Sequence, residues 1–180
     1  VDFQSQRREK IKEFPNSTII LGGAINRYIN NKAFLPKSGE LSIAQGYKLA
    51  VNELLESGHT VVQLAPFPQF KHNPSQLLKN AKPIGNSPSE LSTFYRQISS
   101  YDIAWHTEAN LSAYNMFSEI RHEKFFVLRP DLIFCDTFLE DACVSNDGDR
   151  LFFVDYVHPA HAGAKLISQY IVDEISNIIP

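Results

Sequence analysis

Apolar positions along the chain switch between two periods. Thr18-Ile-Ile-Leu21, Thr60-Val-Val-Gln-Leu-Ala65 and Lys124-Phe-Phe-Val-Leu128 are short β-branched or aromatic runs closed by turn residues. Runs of this kind predict buried strands of a parallel sheet. Between them the period lengthens. Ile43, Tyr47, Val51, Leu54 and Leu55 share one face of a helix predicted over 41–57, with Gly58 as its C-cap. Residues 89–120 are largely helical in spacing, through Leu91, Phe94, Ile98, Asn110, Tyr114 and Phe117, with a break near 101–106. Leu166, Ile167, Tyr170, Ile171 and Ile175 give a closing amphipathic helix over 162–178. A charged helix is predicted over 2–14, anchored by Phe3, Ile11 and Phe14 and stopped at Pro15. Residues 69–88 predict a surface loop with one helical turn at 75–80, and 151–154 is either a last strand or the approach to the loop beyond it.

Strands alternating with helices predict an α/β fold around a parallel sheet. Ligands of such folds bind outside the carboxyl ends of the strands. Gly22-Gly23, Pro66-Phe-Pro68 and the stretch 155–158 all fall at those ends, so they are expected to converge on one crevice.

At 180 residues the chain suits one domain, 1–180. Its net charge of −3 offers no basic surplus for phosphates, so no nucleic-acid partner is expected. No apolar run approaches the ~20 residues of a membrane span. The chain opens on Val1 without the apolar core of a signal peptide, and reads as the middle of a helix. A piece of a longer protein, incomplete on its N-terminal side, is the expectation. Cys135 and Cys143 are either two unpaired thiols or a loop-closing disulfide, the latter implying an oxidising compartment.

The chemistry concentrates at Asp155-Tyr-Val-His158-Pro159. An imidazole can take a proton from a hydroxyl nucleophile when a carboxylate fixes its tautomer and stabilises the imidazolium. Asp155 is three residues from His158 on one loop, and Pro159 suits the first turn of the helix that follows. Ala160, Ala162, Gly163 and Ala164 would let that helix pack tightly. The competing reading is a metal site on Asp155, His158 and His161, but no fourth ligand is apparent, so no metal and no cofactor are expected.

Asp155-Tyr-Val-His158-Pro-Ala-His-Ala-Gly163-Ala164 resembles the last block of the SGNH (GDSL-like) hydrolases. It is closer still to the SGNH domains at the C-terminus of acyltransferase-3-type membrane proteins, which O-acetylate bacterial surface polysaccharides. Thr18-Ile-Ile-Leu-Gly-Gly23, Gly58-His-Thr-Val-Val62, Ala65-Pro-Phe-Pro68, Cys135, Cys143 and Asp147-Gly148 follow in the same order, so the resemblance covers roughly 10–175. It implies a three-layer α/β/α flavodoxin-like sheet, His158 as general base and Asp155 as its orienter. Gly22, Gly23 and Asn26 are the oxyanion candidates by position, a simple turn being the alternative. The chain departs from the family in having no G-D-S block. Leu21-Gly-Gly-Ala-Ile25 stands where the family has L-A-A-R-W, and His158-Pro159-Ala160 stands where it often has H-L-S.

The resemblance therefore implies the distal part of an SGNH domain from a cell-envelope O-acyltransferase, with an upstream serine and a preceding transmembrane domain. Its partners would be an acyl donor and a glycan acceptor, and its place the periplasmic face of the inner membrane. A carbohydrate acetyl esterase and an inactive SGNH-like binding module are the alternatives. Without the serine-bearing strand, 18–21 is expected to be an unpaired, apolar edge that limits solubility.

Overall fold

The computed structural model describes residues 6, 9–11, 13–29, 31–82 and 87–178. In chain order the elements are β1 (Thr18–Leu21), α1 (Ile25–Ile29), α2 (Ile43–Glu56), β2 (Thr60–Leu64), α3 (Pro74–Asn80), α4 (Pro88–Ile98), β3 (Tyr101–Asp102), α5 (Ile103–Ser118), β4 (Phe125–Leu128), β5 (Ala142–Cys143) and α6 (His161–Ile178). Single 3-10 turns lie at Lys32–Phe34 and Pro130–Ile133. Two compact units are present, one of Val1–Ala65 with Leu111–Leu128 and one of Pro66–Asn110 with Arg129–Pro180.

The first unit is built on a parallel sheet in the order β1-β2-β4. Helix α2 starts with a capping box, Ser42 Oγ accepting from Gln45 N–H and Gln45 Oε1 accepting from Ser42 N–H. It ends where Gly58 N–H bonds to Leu55 C=O and His59 N–H to Leu54 C=O. That pattern needs a left-handed residue after the cap, and Gly58 supplies it at φ +90°. Val51 and Leu55 of α2 then bury against Val61 and Ile120, while Ala113, Met116 and Phe117 of α5 form a neighbouring cluster. Gln63 is the polar exception on the central strand. Tyr47 Oη donates to Gln63 Oε1, and burial pushes the Tyr47 phenol well above its ordinary range.

The strand at Thr18–Leu21 is not the unpaired edge expected of it. It pairs with β2 along its whole length, Thr18 with Thr60 through to Leu21 with Gln63. The expectation gave β1 the second position of the flavodoxin-like order, where its only neighbour is the first strand. The observed order puts β2 beside it, and among the described residues its other side pairs with no strand, while Ile20 is half-exposed.

The second unit centres on an aromatic core. Phe70, Tyr101, Phe134, Phe152 and Phe153 are buried together with Val144, Ile167 and both cysteines. Phe134 and Phe153 rings are 5.0 Å apart, and Phe70 and Phe153 likewise 5.0 Å. Burying a side chain of this size stabilises by about 1.5–3 kcal/mol. Cys135 and Cys143 are joined in a disulfide inside this core. Cys143 belongs to β5, which pairs antiparallel with β3.

Several boundaries differ from the sequence expectation. The single turn at 75–80 is a helix, α3, because Asn73 Oδ1 caps it and Pro74 occupies its first position. Residues 83–86 of that loop lie outside the description. The break in 89–120 contains β3, a two-residue strand made only by its partner β5. Residues 151–154 form no strand: Leu151 and Phe153 make isolated bridges, to Asn146 and Pro159. In the expected N-terminal helix, residues 6 and 9–11 are helical, Phe14 is exposed and Phe3 lies outside the described residues.

Helix α6 approaches the backbone of Phe152 at Gly163, where an added Cβ would stand 2.1 Å from the Phe152 carbonyl oxygen. That residue is itself tied down, its N–H donating to Ser145 C=O at 2.7 Å. Gly163→Ala is therefore expected to destabilise by roughly 1–3 kcal/mol. An unchanged denaturation midpoint would contradict the close approach. Opening the Cys135–Cys143 loop, which spans a sequence separation of 8, is expected to cost about 2–3 kcal/mol from loop entropy. Unfolding of the chain with and without reductant measures it.

Candidate active site

The loop from Phe153 to Ala160 belongs to the second unit. Phe152 and Phe153 are fully buried, and the chain then turns outward. Asp155 Oδ1 accepts from the backbone N–H of Val157 at 3.0 Å and of His158 at 2.9 Å. The aspartate so organises its own turn, a role to which its short side chain is suited. The same carboxylate faces His158 Nδ1, at 2.8 Å to Oδ2 and 3.0 Å to Oδ1. Val154 N–H donates to His158 C=O at 3.0 Å and closes the turn from the other side.

Two outside segments hold this loop. Phe70 N–H donates to Tyr156 C=O at 2.8 Å, and Ser75 Oγ donates to Val154 C=O. Thus the segment after Pro66-Phe-Pro68 does come to the Asp155–His158 loop. Gly22, Gly23 and Asn26 belong to the first unit, at the carboxyl end of β1. Gly23 has φ +141°, a backbone that side-chain-bearing residues rarely adopt, and Asn26 is buried on α1.

The His158 side chain is 73% exposed and its Nδ1 is taken by Asp155. The proton is thereby placed on Nδ1, and Nε2, on the opposite edge of the ring, is the nitrogen a hydroxyl can reach. The Val157 and His158 backbone N–H groups, with the His158 ring, draw the Asp155 carboxyl down to about 2.

A second aspartate–histidine pair went unnoticed in the sequence. His106 Nε2 lies 3.3 Å from Asp131 Oδ2, and Arg129 reaches the same carboxylate through Nε at 2.9 Å and Nη2 at 2.7 Å. Asn110 Nδ2 is 3.1 Å from His106 Nδ1. Burial by itself would raise the Asp131 carboxyl, but the hydrogen bonds from His106 and Arg129 outweigh it and hold it below its ordinary range. The two residues are 25 apart in sequence, so no local spacing announces them. Both side chains are 1% exposed. A sealed pair can fix α5 against the Pro130–Ile133 turn, whereas His158 stands in solvent where a substrate can meet it.

The hydroxyls of Ser145 and Ser17 each donate to a partner of their own. Ser145 is buried and its hydroxyl donates to Ser99 Oγ at 2.7 Å. Ser17, in the first unit, donates to Phe14 C=O at 2.8 Å. Among the described residues no group of three or more His, Cys, Asp or Glu side chains could hold a metal ion.

Parallel strands with interleaved helices put the chain in the α/β class, with a carboxylate-fixed imidazole just ahead of its C-terminal helix. Within it, the chain belongs to the family of SGNH domains fused to AT3 domains, whose model matches residues 2–173. Of the solved structures, the periplasmic domain of a lipopolysaccharide acetyltransferase from Salmonella ser. Paratyphi A is similar over 96% of this chain and 61% of that one, at TM-score 0.53 and 15% identity. The chain thus spans less than two thirds of that protein's solved length, and the likeness is one of fold. A Streptococcus pneumonia protein solved as a candidate platelet activating factor is similar over 95% of this chain and 92% of its own, at TM-score 0.45 and 10% identity. No curated protein matches the chain. The protein is an SGNH module of the acyltransferase-associated kind.

The depressed carboxyl gives a pH expectation. Asp155 has a folded value of about 2, below the ~3.9 of an unfolded aspartate. Its contribution to loop order is therefore fully present above ~pH 4 and is lost as pH falls through the folded value. A carbon-detected NMR titration should place the Asp155 midpoint near 2, and a midpoint near 4 would show that the three N–H contacts do not form.

Proposed function

We propose that this chain carries the acid–base half of a Ser-His-Asp site in a bacterial cell-envelope O-acyltransferase. The observation that carries the reading is the Asp155–His158 contact, with Nδ1 held by the carboxylate and Nε2 turned to solvent. Family membership supplies the acyltransferase context. The acyl group would be acetyl or similar, and the acceptor a sugar hydroxyl of surface polysaccharide.

The nucleophile in this reading is a serine contributed from outside residues 1–180, on a strand that pairs with the outer edge of β1. The sheet order that leaves that edge at the margin supports this, as does the further length of the Salmonella domain. The serine hydroxyl gives its proton to His158 Nε2 as its oxygen attacks the donor carbonyl. Asp155 stabilises the imidazolium that results. Gly22, Gly23 and Asn26 remain the oxyanion candidates of this reading. The departing group takes the proton from Nε2, leaving an acyl-serine. A sugar hydroxyl then gives its proton to Nε2 as its oxygen takes the acyl group, and the freed serine oxygen takes that proton back from Nε2. The module would sit outside the cytoplasm, tethered by the AT3 part of the longer protein. Among the described residues no helix is long and apolar enough to cross a membrane.

Water in place of the sugar would make the same site an acetyl esterase. Acetate release from the longer protein, with and without acceptor glycan, separates the two reactions. His158→Ala is expected to lower turnover by about 10³-fold or more, and Asp155→Asn by a comparable order. The 180-residue chain alone is expected to show no esterase activity. Activity from it that His158→Ala abolishes would overturn the external serine, and an inert longer protein would point to a binding module.

A further inference from the structure

Residues 31–41 of the first unit are exposed without interruption, yet they include Phe34, Leu35 and Leu41. Leu35 is 67% exposed, Leu41 58%, Tyr28 of α1 48% and Phe34 46%. The rings of Tyr28 and Phe34 meet edge to face at 5.3 Å, so they form one surface feature. An apolar group of this kind, left in water, marks an interaction site.

The segment is not shaped by burying these side chains. Asn31 Oδ1 caps the 3-10 turn by accepting from Ala33 N–H at 2.9 Å, and Phe34 N–H donates to Asn31 C=O at 2.9 Å. Glu40 closes the next turn, accepting from Lys37 N–H at 3.0 Å. The backbone is thus set by local hydrogen bonds, and the apolar side chains are left over for a partner.

Charge identifies the kind of partner. Residues 25–41 hold Arg27, Lys32 and Lys37 against the single acid Glu40, in a chain whose net charge is −3. All three cations are exposed. Exposed aromatic and leucine side chains interspersed in sequence with exposed cations suit the headgroup region of an anionic bilayer, where rings and alkyl groups enter the boundary and ammonium and guanidinium groups meet phosphates. We infer that the exposed side chains of Tyr28, Phe34 and Leu35, together with Arg27, Lys32 and Lys37, dock on an anionic lipid surface. The contact is weak by itself and serves to orient a module held near the bilayer by other means. It rests on the proposed tether by the AT3 part, and not on the acyl-transfer chemistry.

Co-sedimentation of the chain with vesicles tests it. Binding is expected to equimolar phosphatidylglycerol and phosphatidylcholine at low salt, and to fall at least 10-fold with phosphatidylcholine alone or in 0.5 M NaCl. Lys32→Glu with Lys37→Glu should weaken binding at least 10-fold, and Phe34→Ser with Leu35→Ser should weaken it several-fold. All four positions are exposed, and unchanged thermal unfolding would show that both variants fold. No binding to the anionic vesicles, or equal binding by all variants, would overturn the inference. A dimer seen by ultracentrifugation and lost with Phe34→Ser and Leu35→Ser would also overturn it, assigning the face to a second copy.

Discussion

The second unit depends on the burial of Phe152 and Phe153. Two consecutive rings pointing into one core leave the backbone between them little freedom, and the residues on either side inherit its position. Phe152 packs near Phe134 and Phe138, and Phe153 near Phe70 and Phe134. The Phe152 carbonyl accepts from Ala160 N–H at 2.7 Å, so the 153–160 loop is closed at its base. Gly163 lets α6 lie against that same carbonyl. Asp155 and His158 are therefore mounted on a short loop whose two ends are both fixed by packed structure.

Within that frame Asp155 has two tasks that reinforce each other. Its carboxylate holds the turn through two backbone N–H groups and holds the imidazole through Nδ1. The bonds that shape the loop are also the ones that keep the carboxyl ionised, so in the proposed site the group that would orient the general base is held as an anion by the loop itself. The buried His106–Asp131–Arg129 cluster uses the same residue types to different effect. There the partners compensate a charge removed from water, and the pair has no access to solvent. Exposure, rather than residue type, separates the two.

The lipid-facing group of the first unit has the opposite character to that core. Its apolar side chains are unpaid by packing and its turns are held by local backbone bonds. Its exposed apolar and basic side chains are what the proposed lipid contact would use. Membership of a family fused to AT3 domains accords with that.

The sequence by itself determined the elements with strong periods and the loop chemistry. The runs at 18–21, 60–64 and 125–128 could be read because each is apolar at successive positions, yet only β2 is buried along most of its length, Ile20 of β1 and Val127 of β4 being exposed. The helices α2 and α6 could be read because their inward residues recur at helical spacing. The Asp155–His158 spacing was legible because both residues serve one short turn, and local chemistry is written locally. What the sequence left undecided was everything set by partners distant along the chain. That β1 lies beside β2 depends on sheet order, which no run of four residues carries. β3 and β5 are two residues each and exist only as a pair. The alternatives for Cys135 and Cys143 were equal in sequence, and the fold brings the sulfurs together because β5 returns beside Cys135. His106 met Asp131 only once α5 had packed, because a hydrogen bond between residues on different elements has no spacing to read.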